Sequence, residues 1–345
     1  MSRVVPGAEP FSFHGGPIGI LLLHGFTGNP AALRRIGEWL AARGHTVSCP
    51  RYPGHGTAWK ELGRTRWQDW VSEATRGLKE IDRRCETVIL LGLSAGGSMA
   101  LHLAARYPDI VRGLVLVNPY LRDRRIRAAM YLWGVIPPRK GIGDDIKKPG
   151  ETELPYEKIP VRALGQLARF LRIVERELPR IRQPLLVFNS PEDHVVPKGN
   201  AEHVLERVES QEKELIVLPN SYHVATLDHD AELIFERTHE FAEAHARSDH
   251  GEEPLDEEEA AEPADERAGA GAVPTEPQPA EAAGSGGAEP PEDEAPETPA
   301  EETPPAEQAS ARMVDPSELE GDEDRDAAGL EPEESPEQDA GRSEP

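Results

Sequence analysis

Five residues, Gly92-Leu93-Ser94-Ala95-Gly96, place a hydroxyl between glycines in a G-x-S-x-G pattern. A sharp turn from strand into helix lifts such a serine Oγ above the edge of a sheet, and the glycines leave room for the reversal. Gly97 adds space for packing the helix. The flanks agree with this geometry. Thr87–Leu93 is a near-continuous apolar run of strand length, and Ala95–Tyr107 turns helical at once. Read without its flanks, the pentapeptide is only a Gly/Ser-rich turn. A serine hydroxyl alone is a poor nucleophile; it needs an imidazole to take its proton and a carboxylate to orient that imidazole. In sheets of this kind the chain order is serine, then acid, then histidine. Asp193, in Asn189-Ser190-Pro191-Glu192-Asp193-His194, follows the run Pro184–Phe188, and His223, in Pro219-Asn220-Ser221-Tyr222-His223, follows Glu214–Leu218. Both runs read as buried strands, and the C-terminal ends of such strands are where open α/β sheets build sites. Glu192 is the rival acid and His194 the rival base, but His194 adjoins Asp193 in the chain and would point elsewhere. His229 and His239 fall at or within the last helical stretch and read as solvated or capping residues.

Acyl transfer also needs backbone donors for the developing oxyanion, each worth on the order of 3 kcal/mol. One is the amide after the nucleophile, Ala95. The other belongs to the loop His24-Gly25-Phe26-Thr27-Gly28, and Phe26 is its expected donor. His24 precedes the serine in the chain and reads as a structural hydrogen-bonding residue.

The elements that must position these groups follow from periodicity. Ile18–Leu23 is an apolar strand ending at His24-Gly25, and Pro30–Arg43 has helical spacing with Gly44 as its C-terminal cap. Thr46–Cys49 reads as a short strand, Arg51–Gly56 as turns, Trp67–Arg84 as a helix and Gly113–Val117 as a strand broken by Asn118-Pro119. A helix near Gly199–Val208 and a last one from Asp230 to Ala244 complete the alternation. Strands alternating with helices predict an α/β fold, a mainly parallel sheet covered on both faces. Residues 120–178 break the pattern with Pro137-Pro138, Gly141, Gly143, Pro149, Pro155 and Pro160. That stretch is too long for a connection and reads as a small helical cap over the C-terminal edge of the sheet. Within it, Met130 and Trp133 either line an acyl-chain pocket or pack the cap on the core, and Arg122, Arg124, Arg125 and Arg127 read as a solvated face.

The chain of 345 residues carries a net charge of −25, yet the charge is not evenly spread. Residues 247–345 hold 33 Asp or Glu, five Arg, and no Lys, Phe, Tyr or Trp. Such a segment buries too little apolar surface to offset the entropy of ordering, so a disordered acidic tail is expected after a domain spanning 1–246. The tail repels phosphate and the domain lacks a strongly basic face, which excludes nucleic acid as a partner. No run approaches the ~20 apolar residues of a membrane span, and the N-terminus lacks the apolar core of a signal peptide. Cys49 and Cys85 sit in neither a disulfide framework nor a metal-ligand spacing. A cytoplasmic protein, monomeric or weakly dimeric, acting on a small-molecule ester and without membrane insertion, is the resulting expectation.

Over residues 18–240 the stretches LLLHGFTGNP, RYPGHGT, GLSAGG, EDHVVP and NSYHVATLDHD occur in order. In these the chain resembles the α/β-hydrolase superfamily, and more narrowly the bacterial thermostable-type carboxylesterases related to monoacylglycerol lipases. The resemblance implies Ser94, Asp193 and His223 as a triad, Phe26 and Ala95 as oxyanion-hole amides, a small helical cap, and no metal or organic cofactor. The acidic tail and the Arg-rich cap depart from that family's pattern. The expected activity is hydrolysis of short- to medium-chain carboxylic esters, monoacylglycerols included, by way of an acyl-enzyme. An acyltransferase on the same triad, or a binding protein on a hydrolase scaffold that has lost its chemistry, are the alternatives.

Overall fold

The computed structural model describes residues 2–126, 129–132 and 137–246. The chain divides into two units, 1–260 and 261–345, and every described residue belongs to the first. The acidic tail, Arg127, Trp133 and the side chain of Met130 lie outside the described residues.

Seven strands form one sheet: β1 (Phe11–Phe13), β2 (Ile18–Leu23), β3 (Thr46–Cys49), β4 (Thr87–Leu93), β5 (Val111–Val117), β8 (Leu185–Asn189) and β9 (Lys213–Val217). Their spatial order is β1-β3-β2-β4-β5-β8-β9, parallel throughout except for β1, which runs antiparallel to β3. From β2 the chain steps outward to β3, then crosses back to β4 on the other side of β2. Connections therefore leave in opposite directions above β2 and β4, opening the crevice in which α/β sheets place ligands.

The apolar strand runs explain why both faces are covered. Side chains alternate between faces with a period of two. Leu21, Leu90, Leu116 and Val187 join one buried cluster, and Ile20, Leu22, Ile89, Val115 and Phe188 join the other. On the first face lie α3 (Trp67–Asp82), α4 (Ala95–Arg106) and α6 (Val161–Glu177), through Leu78, Leu101 and Phe170. On the second lie α1 (Ala31–Ala41) and α8 (Ala231–Ala244), through Leu33, Ile36 and Phe235. A strand buried on both sides cannot carry polar residues on alternate positions, so β2 and β4 read as continuous apolar runs.

Three features depart from expectation. Strand β1 and the short helix α2 (Trp59–Leu62) were not foreseen, since three or four residues carry no periodic signal. β9 is an edge strand, largely exposed, instead of a buried one; Lys213 and Glu214 suit an edge that must not pair with other chains. Between β5 and α6, the described residues hold the single turn α5 (Ala129–Leu132) and a two-stranded ribbon of β6 (Arg139–Lys140) and β7 (Lys158–Ile159), with irregular chain between. Pro137, Pro138, Pro149, Pro155 and Pro160 disfavour helix across the described residues 137–160. The helical part of the segment is mostly α6, which packs on the core through Leu167, Phe170 and Val174. The short helix α7 (Asn200–Arg207) joins β8 to β9.

Candidate active site

Ser94 stands at the N-terminus of α4, one residue past β4, with φ 57° and ψ −121°. A non-glycine residue rarely adopts this region, and the surrounding structure has to hold it there. Here the hold is by hydrogen bonds: the Ser94 amide donates to Val117 O at 2.9 Å, while its carbonyl accepts from Gly97 N and Tyr120 N. Glycine is obligatory at two places around the turn. A Cβ on Gly96 would collide with the carbonyl of Leu23, and one on Gly92 with the carbonyl of Gly96.

His223 and Asp193 meet from different loops. His223 Nδ1 lies 2.8 Å from Asp193 Oδ2, and Asp193 Oδ1 accepts the amides of Val195 and Val196, each at 2.8 Å. With both carboxylate oxygens engaged, Asp193 is locked toward the imidazole. His223 is almost fully buried. Burial works against its positive charge, but the hydrogen bond and charge of Asp193, with Glu153 and Asp145, outweigh it and raise its pKa above 6.5. Ser94 and His223 line one cavity with Gly25, Phe26, Thr27, Tyr120, Asp145 and Glu153. The Ser94 hydroxyl makes no hydrogen bond to His223 in the described structure; such contacts tighten as substrate binds.

The rivals fall elsewhere. Glu192 pairs with Lys147 at 2.9 Å on the surface, and His194 faces Asp145 at 2.8 Å with 61% of its side chain exposed. His24 is buried; its Nδ1 lies 2.9 Å from Gly25 O and its Nε2 accepts the Tyr52 amide. Burial and neighbouring His55 hold it far below the usual imidazole pKa, so it is a neutral strut. The amides of Phe26 and Ala95 have no acceptor among the described residues, and Phe26 borders the cavity. Met130 and Trp133 cannot be placed in the site, as they lie outside the described side chains. A larger cavity, about 760 Å³, is bounded by Leu121, Ile126, Leu171, Arg122, Arg125 and Arg172 and does not include Ser94. The described members of the Arg cluster, Arg122, Arg124 and Arg125, are exposed as expected, and Arg125 also pairs with Asp123 and donates to Val195 O at 2.7 Å.

Three residues at the site escaped sequence reasoning. Asn118, read only as a strand breaker, knits the two loops together. Its Nδ2 donates to Ser190 Oγ and His223 O, and its Oδ1 accepts the Ser190 amide at 2.7 Å. Its φ of 46° is the left-handed conformation asparagine tolerates, so an asparagine closing a central strand was the available signal. Asp145 accepts the amides of His194 and His223 at 3.1 Å. Glu153 borders the cavity, and burial raises its carboxyl to a pKa of about 7, opposed by His223 and helped by Asp144 and Asp145. Asn29 Nδ2 holds that segment through Glu153 O at 2.9 Å. No spacing rule reaches Asp145 or Glu153, because irregular chain brings them in.

Comparison with known proteins accords with this arrangement. The profile of the alpha/beta hydrolase family matches residues 20–237. The chain is 46% identical over 244 residues to the thermostable monoacylglycerol lipase of Bacillus sp. (strain H-257), covering 70% of this chain and 97% of that one. It is 32% identical over 249 residues to a carboxylesterase of Bacillus subtilis (strain 168), covering 70% and 98%. Among solved structures, one from work on LipS and LipT, two metagenome-derived lipolytic enzymes, superposes with a TM-score of 0.68 at 40% identity, covering 70% of this chain and all of that one.

Proposed function

Because the chain belongs to the alpha/beta hydrolase family, we propose that it hydrolyses short- to medium-chain carboxylic esters, monoacylglycerols among them, through an acyl-enzyme on Ser94. The observation that carries this reading is the Asp193–His223 pair sharing one cavity with a serine held at a strained turn. Ser94 Oγ attacks the ester carbonyl while His223 Nε2 takes its proton, and Asp193 keeps Nδ1 protonated and the ring in place. Negative charge then develops on the former carbonyl oxygen, and the Phe26 and Ala95 amides receive it. As the tetrahedral adduct collapses, His223 returns the proton to the departing alcohol. Water, activated by the same imidazole, releases the acid.

Glu153 supports a polyol leaving group. Near neutral pH its carboxyl donates and accepts hydrogen bonds, which suits free hydroxyls and gives nothing to a bare nitrophenyl ring. The experiment is release of acid from a monoacylglycerol and from p-nitrophenyl esters, acetyl to palmitoyl, by the purified chain. No turnover on any of them would remove the reading.

The base works as neutral imidazole. With the pKa of His223 raised, kcat/KM rises with pH through a midpoint above 6.5. Since the Glu153 charge helps raise it, Glu153→Gln is expected to move that midpoint to lower pH and to raise KM for monoacylglycerol several-fold more than for a nitrophenyl ester. An unchanged pH profile would remove Glu153 from the site.

The catalytic domain in this reading ends near residue 246, with its cap between about 120 and 178. A chain stopped at Ala246 is therefore expected to keep kcat/KM within about two-fold of the full chain, since every residue assigned to the chemistry precedes residue 247. A cytoplasmic location accompanies the reading, supported by the free thiols of Cys49 and Cys85. Among the described residues, no helix is long and apolar enough to cross a membrane.

A further inference from the structure

Far from Ser94, three potential metal ligands converge from two elements. His45 immediately precedes β3, so it lies at the N-terminal edge of the parallel strands, opposite the edge that carries Ser94, Asp193 and His223. His239 and Glu243 stand one helical turn apart on one face of α8. His45 Nε2 lies 2.7 Å from His239 Nδ1 and 3.6 Å from Glu243 Oε1, and His239 Nδ1 lies 3.9 Å from the same oxygen. We propose that His45, His239 and Glu243 form a binding site for a divalent transition-metal ion, zinc by ligand type, that joins the start of β3 to the last helix.

The separations lie near those of ligands around one ion. Ligands held at about 2.0–2.1 Å in tetrahedral array lie roughly 3.3 Å from one another, and the three observed separations straddle that value. Seating the ion requires the two rings to part by roughly half an ångström and the carboxylate to close by about as much. Two imidazoles and one carboxylate form a donor set used for zinc, with water as fourth ligand. His45 is buried, whereas His239 and Glu243 are 32% and 53% exposed, so one side of the cluster opens to solvent for entry and for that water.

The surroundings favour a cation. Glu243 sits in the last turn of α8, where the helix carbonyls concentrate partial negative charge, and no basic residue occupies that turn. Among the described residues, Glu243 pairs with the two histidines and with no Lys or Arg. The ring of Trp39 lies edge-on to His239 at 6.2 Å and restricts its rotation.

The site is independent of the chemistry at Ser94, and its role is to fasten β3 to α8. Tag-free full-length chain, stripped with chelator, would be titrated with zinc chloride and followed by calorimetry and thermal unfolding. One tight equivalent is expected, and zinc at a hundred times its dissociation constant should raise Tm by roughly 5–10 °C. Cobalt in place of zinc should develop the intense visible bands of a tetrahedral ion. His239→Ala should abolish the tight equivalent, the Tm shift and the bands. Glu243→Gln, at an exposed position that does not threaten folding, should weaken binding about ten-fold, with esterase turnover unchanged in both variants. Equal zinc responses in wild type and both variants would assign the binding to other acidic groups and overturn the site, as would no tight equivalent in wild type.

Discussion

Ser94→Ala is expected to lower kcat for p-nitrophenyl ester hydrolysis by 10⁴-fold to 10⁶-fold while leaving the fold intact. Removing a nucleophile that acts as one unit with its base typically forfeits nearly the whole contribution of the triad. The residual rate comes from the oxyanion donors and binding alone. Alanine fits the site, since it keeps the Cβ and removes only an oxygen that makes no hydrogen bond to His223. It also relieves no strain, because φ 57° is held by backbone bonds to Val117, Gly97 and Tyr120. Far-ultraviolet circular dichroism and Tm should therefore match wild type, and a burst of nitrophenol from acyl-enzyme formation should vanish. Equal turnover in the two proteins would mean that another group carries the acyl transfer.

Asp193→Asn should cost about 10⁴-fold in kcat, with KM changed little, a magnitude taken from the equivalent change in serine proteases. An amide at this place is nearly isosteric with the carboxylate, so the loop survives. What is lost is the acceptor that keeps the proton on His223 Nδ1 and the negative charge that stabilises the imidazolium formed during attack. The Asp193 hydrogen bond is the leading influence that raises the His223 pKa against burial. In the Asn variant the remaining activity should therefore show its acid limb at lower pH than wild type. Glu192→Gln and His194→Ala are the matched controls, since both side chains are exposed and contact Lys147 and Asp145 and not the His223 ring. Both should retain kcat/KM within about two-fold. A loss at Glu192 as large as at Asp193 would reassign the acid.

Local signals sufficed for much of this molecule. The runs Ile18–Leu23 and Thr87–Leu93 coincide with β2 and β4, residue for residue, because a strand buried on both faces must be apolar at every position. The elbow at Ser94 was legible because the turn leaves a glycine pattern in the sequence: a Cβ on Gly92 would meet the Gly96 carbonyl, and one on Gly96 the Leu23 carbonyl of the adjoining strand. Asp193 and His223 were recoverable from chain order, as each follows a strand on the catalytic edge. The edge status of β9 was not, since an apolar stretch reads alike whether a neighbouring strand or solvent lies beside it.

What composition and periodicity could specify was thus the strand–turn–helix frame and the chain positions of three polar groups at its C-terminal edge, because each follows directly on a strand whose apolar run is written in the local sequence. The remainder depends on long-range proximity. Asn118 ties loops 72 and 105 residues away, Glu153 reaches the cavity through irregular chain, and His45 meets His239 across 194 residues. No period or motif spans such distances. Only closing the sheet between β3 and β9, and laying α8 back over it, brings those side chains within hydrogen-bonding reach.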